Sequence, residues 1–138
     1  MEALGRSFNA LAIADDVYVN MQYCEAVSFL CFLAAGDTYT LTEAKSAAGL
    51  SAQVLATITR FHVQATPGVA WVEVEQAAAS TMVTTSAQDV ALLHVGAVEL
   101  SAGFTHLKLA STSTGLIQAI THDLSIQRDP ALLPLIGA

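Results

Sequence analysis

Residues 89–127 read DVALLHVGAVELSAGFTHLKLASTSTGLIQAITHDLSIQ, from Asp89 to Gln127. Three apolar runs stand in this stretch: Val90 to Val95, Phe104 to Ala110, and Leu116 to Leu124. Between them lie Glu99-Leu100-Ser101-Ala102-Gly103 and Ser111-Thr112-Ser113-Thr114-Gly115, which carry the Gly, Ser and Thr that interrupt strands. Short apolar runs bounded in this way predict consecutive antiparallel strands.

The same style extends upstream. Val17-Tyr18-Val19-Asn20-Met21 is rich in β-formers, and Ala26 to Leu33 (AVSFLCFL) is a near-continuous apolar run, as expected of a central strand covered on both faces. Ala34-Ala35-Gly36-Asp37 predicts a hairpin turn into Thr38–Thr42, where Thr38, Thr40 and Thr42 share one face and Tyr39 and Leu41 the other. Glu43 to Ala56 is Ala-rich and interrupted by Gly49 and Ser51, which fits a short helix or an irregular crossing. Alternation returns in Thr57–Val63, then Thr66-Pro67-Gly68 marks a turn. Trp71–Glu75 alternates again, Ala77–Ser80 reads as a break, and Thr81–Thr85 as a further strand. Short strands, frequent turns and no strand–helix alternation predict an all-β chain, an antiparallel β-sandwich or jelly-roll-like domain over residues 15–127. Residues 1–14 form an expected N-terminal arm. Residues 128–138 form an extended tail in which Pro130 and Pro134 favour open backbone while Leu132, Leu133, Leu135 and Ile136 call for a docking surface.

The 138 residues fit one domain with a core of its own. Charged residues make up 12% of the chain, about half of the roughly 25% of an ordinary soluble domain. Mean hydropathy is +0.54. A surface so poor in charge is dressed in Thr, Ser, Gln and Ala, or is partly buried against other subunits. The net charge is −7, and the five cations (Arg6, Lys45, Arg60, Lys108 and Arg128) do not cluster, which argues against nucleic acid and against acidic membranes. The start of the chain lacks the pattern of a signal peptide, and Val27–Ala35 is too short to span a bilayer. The expectation is a soluble protein made in the cytoplasm.

Chemistry is sparse. Cys24 and Cys31 make neither a disulfide framework nor a metal knuckle, so buried free thiols are expected. His62, His94, His106 and His122 fall in separate predicted strands with no i, i+2 pair, and a zinc site would have to assemble across strands, with Asp123 nearby. Ordinary surface or core histidines are the expectation, with no metal and no cofactor. Glu73 and Glu75 share one strand face, the pattern of a solvated edge that resists edge-to-edge pairing. Asp15, Asp16 and Asp37 lack the spacing of a calcium loop. No nucleophile elbow, phosphate loop or dinucleotide fingerprint is present. Trp71, Phe61 and Tyr39 are candidates for a sugar platform, but Trp71 opens an alternating strand and is expected in the core. No catalytic residue is expected.

Several segments resemble, in their order, the minor capsid or decoration proteins of tailed bacteriophages with the HK97-type head. The likeness runs from Asp16-Val17-Tyr18-Val19-Asn20 through Ala26–Leu33, a T-L-T-x-A segment at Thr40–Ala44, a Thr-rich strand at Thr81–Thr85, and an L-x-x-G-F turn at Leu100–Phe104 before His106-Leu107-Lys108-Leu109. The resemblance implies a structural virion protein on the outer capsid surface. It would bind the major capsid protein and cluster with copies of itself around symmetry axes, and it would carry no ligand residues. Contact elements expected on that reading are Phe8 and Leu11 in the arm and Leu132, Leu133, Leu135 and Ile136 in the tail. A head–tail connector or tail protein is the structural alternative, and a carbohydrate-binding sandwich the non-structural one.

Overall fold

The computed structural model describes residues 10–13, 17–32, 35–112 and 116–123. They form β1 (Ala10–Ile13), β2 (Val19–Asn20), β3 (Ala26–Phe32), β4 (Thr38–Ala44), β5 (Gln53–Val54), β6 (Ile58–Gln64), β7 (Val72–Ala79), β8 (Thr81–Val83), β9 (Val90–Gly96), β10 (His106–Ser111) and β11 (Leu116–His122). A single 3-10 turn, Ala97–Glu99, follows β9. The larger sheet has the order β1-β11-β3-β9-β6-β7, and the smaller has β2-β10-β4-β5 with β8 also on β4. All pairings are antiparallel. The protein is an all-β sandwich.

Alternation explains how the layers close. Val27, Phe29 and Cys31 of β3, Leu93 of β9 and Ala119 of β11 point inward from the larger sheet. Tyr39 and Leu41 of β4 and Leu107 and Leu109 of β10 meet them from the smaller one. Tyr39, Phe29, Leu41, Leu107 and Leu109 are fully enclosed. The threonines of β4 take the opposite face, as their period of two requires.

Partner choice departs from the local pattern. The three runs of residues 89–127 become β9, β10 and β11, yet none pairs with the next. β9 and β11 flank β3 in the larger sheet, while β10 lies between β2 and β4 in the smaller. The expected hairpin at Ala34–Asp37 is likewise a corner between layers, since β3 and β4 belong to different sheets. Gly36 supplies the turn, with φ +69°. Buried Asp37 then fixes the corner: its Oδ1 accepts from Thr38 N at 2.7 Å and Thr112 Oγ1 at 2.8 Å, and its Oδ2 from the Ser111 hydroxyl. Its backbone exchanges hydrogen bonds with Thr84 just past β8. One residue, through its side chain and its backbone, thus joins the ends of three segments. That accounts for its burial.

Other boundaries shift too. Ala10–Ile13, placed in an arm by the sequence, is edge strand β1, in register with Gln118, Ala119, Ile120 and Ile117 of β11. The Ala-rich stretch after β4 holds no helix. It turns at Gly49 (φ +84°) beneath the Tyr18 ring and returns as β5. The break expected at Ala77 comes only at Ser80, because β7 is an edge strand where small side chains need no neighbour on one side. Phe8, the tail 128–138, and Asp15 and Asp16 lie outside the described residues.

Candidate interaction face and its histidine cluster

The outward positions of the larger sheet follow from its register. Ile120, Ser28 and His94 lie in one row across β11, β3 and β9, and Gln118, Leu30, Leu92 and His62 in the next, the latter reaching β6. Leu30, Phe32, Leu92 and Ile120 are each only partly covered, and Leu116 is 62% exposed. A solvated sheet face ordinarily alternates to polar residues. Here Leu30, Leu92 and Ile120 hold outward positions on the middle strands, alongside Ser28, His94 and Gln118.

The margin toward β7 is charged. Arg60 and His62 stand opposite Glu75 and Glu73, and His62 Nε2 lies 3.6 Å from Glu73 Oε2. Both glutamates are exposed on the edge strand of the sheet, an arrangement that discourages pairing with another strand. An open cleft of about 280 Å³ is lined by Arg60, Phe61, His62, Leu92 and His94.

The histidine cluster lies on the middle strands of the same face, across β9, β3 and β11. The Ser28 hydroxyl lies 3.1 Å from His94 Nδ1 and 2.8 Å from His122 Nε2, and the two rings are 5.5 Å apart between centroids. Ser28 interrupts the apolar run of β3, but nothing local in the sequence signals the cluster. The four histidines do fall on separate strands, β6, β9, β10 and β11, and two of them are brought together by β3 between them. A serine beside an imidazole is the start of a nucleophilic pair. Ser28, however, sits in mid-strand with partners on both sides, so the nearby backbone N–H groups serve the ladders and do not form an oxyanion hole.

Elsewhere the chemistry is structural. Cys24 and Cys31 are free and buried, and burial pushes their thiols up to about 11 and about 12, away from the reactive thiolate form. Among the described residues no three His, Cys, Asp or Glu side chains converge on a metal site, and no helix is long and apolar enough to cross a membrane. Of the three rings proposed for a sugar platform, Phe61 and Tyr39 are core. Trp71, expected in the core, is instead 43% exposed. It precedes β7 at the end of the Pro67-Gly68 turn, outside the region where alternation decides the face. Leu11 of β1 packs partly buried against the chain's own core.

The chain matches no protein-family model, no curated protein and no solved structure.

Proposed function

We propose that this protein is a structural virion protein, a β-sandwich that binds the outside of a tailed-phage capsid lattice and stabilises it. The observation that carries the reading is the set of outward aliphatic residues on the middle strands of the larger sheet, Leu30, Leu92 and Ile120, with exposed Leu116 on β11. Aliphatic side chains in outward positions of a sheet suit a surface that works covered. The low charge of the chain points the same way, because assembly subunits bury more of their surface than monomers do. The net charge of −7 suits a surface facing away from packaged DNA. Stabilisation would come from the added buried area linking neighbouring capsomers.

The test is co-sedimentation of the purified protein with empty shells of the major capsid protein of the same virus, counting bound copies. Near-stoichiometric binding is expected, lost in Leu116→Lys and Leu92→Glu variants whose thermal midpoints stay within a few degrees of wild type. Absence of wild-type binding, with a closed ring formed by the protein alone, would replace this reading with a connector or tail protein.

A further inference from the structure

The Ser28 hydroxyl is a meeting point for two imidazole nitrogens that come from different strands of the larger sheet. His94 is directly opposite Ser28 on β9, and His122 on β11 is opposite Ala26, one outward position along. Both rings lean across β3 so that His94 Nδ1 and His122 Nε2 face the same atom. A hydroxyl has one hydrogen and can satisfy one lone-pair nitrogen as donor. The second ring meets it only by carrying its own proton on the facing nitrogen. In the other tautomer both rings turn lone pairs to the same point, and a pair of imidazole lone pairs so placed is a ligand pair for a cation.

We propose that His94 Nδ1 and His122 Nε2 form a binding site for a divalent transition-metal ion of the zinc and copper class. Imidazole nitrogen is the ligand these ions take most readily, at about 2.0–2.1 Å for zinc. His94 is exposed and His122 is partly so, which leaves both rings free to rotate the short way from the hydroxyl onto an ion. Ser28 is buried beneath them and forms the polar floor. With two protein ligands the ion keeps open positions, filled by water or by a side chain of whatever lies on this face. Copper should bind more tightly than zinc at such a site, following the ordinary order of divalent affinities. The site stands on the geometry of three side chains and does not depend on the capsid reading.

The experiment is calorimetric titration of the untagged full chain with Cu²⁺ and with Zn²⁺ in a non-chelating buffer, alongside NMR of the histidine ring nitrogens. Expected are one equivalent of bound ion and perturbation of the His94 and His122 ring signals, with those of His62 and His106 unmoved. Loss of an outer-shell partner alone weakens metal binding about 10–100-fold, so His94→Gln and His122→Gln, each removing a ligand, should weaken it by at least that much. His62→Gln should bind as wild type does, and Ser28→Ala should retain binding because both rings remain. Circular dichroism of each variant separates a lost ligand from a lost fold. The proposal is overturned if neither ion binds the wild type, if the two glutamine variants bind as tightly as wild type, or if the signals that move belong to His62.

Discussion

Ser101 holds both oxygens of Glu43. Its hydroxyl donates to Oε1 at 2.6 Å and its backbone N–H to Oε2 at 2.8 Å. The Gln53 amide adds a third hydrogen bond to Oε1 at 2.6 Å. The carboxylate is fully buried, and burial by itself raises its pKa. The Ser101 hydroxyl, the Gln53 amide and the Ser101 N–H together outweigh that, so Glu43 titrates below the usual carboxylate range. A buried carboxylate is here satisfied by neutral donors that tie β4, β5 and the turn before β10 into one unit.

Glu43→Gln should therefore destabilise the fold by about 1.5–3 kcal/mol at neutral pH, the range for hydrogen bonds to a charged group. Because the folded pKa is depressed, the carboxylate's contribution is complete above the unfolded value of about 4.3 and disappears as pH falls through the lower, folded value. Urea midpoints of wild type and variant should differ at pH 7 and converge on acidification. A gap that persists at low pH would show that Glu43 acts by shape and not by charge.

The Tyr39 hydroxyl gives the opposite expectation. It is enclosed between the sheets within reach of Cys31 and Asp37 but with no well-formed hydrogen bond to a described residue, and burial, then those two groups, push its pKa upward. An unsatisfied buried hydroxyl carries a desolvation cost of about 1–3 kcal/mol. Tyr39→Phe keeps the ring and removes that cost, so its denaturation midpoint should equal or exceed that of wild type. A loss above about 1 kcal/mol would mean that the hydroxyl is bonded in solution.

Edge strand β7 supplies a third. Glu73 and Glu75 are exposed on a strand paired on one side only, next to exposed Trp71 and Val72. Replacing both glutamates with threonine removes the repulsion and raises β-propensity. Light scattering should then show concentration-dependent self-association beyond that of wild type, with the secondary structure by circular dichroism unchanged.

Fold class was legible because alternation is a local property. Thr38, Tyr39, Thr40 and Leu41 announce their faces without reference to any partner. Sheet membership was not legible, because β9, β10 and β11 look alike in sequence while only the packing of inward residues decides which layer each joins. For the same reason Ala34–Asp37 resembles a hairpin and is a corner. Trp71 misleads because alternation holds only inside a strand, and it stands just before one. The histidine cluster was not visible: Ser28 is a polar residue in an apolar run, but nothing local says that His94 and His122 flank it. Phe8 and the tail residues, proposed as contacts from the sequence, lie outside the described residues, and Leu11 packs partly buried against the chain's own core.

The position of β3 between β9 and β11 has a consequence in time. Ser28 meets residues 66 and 94 positions further along the chain. When β3 leaves the ribosome, neither of its hydrogen-bonding neighbours has been made, and its apolar run waits with both edges open. Such distant pairing makes folding slow and exposes intermediates to aggregation. The larger sheet can therefore be completed only once β11, which joins β1 to β3, has emerged.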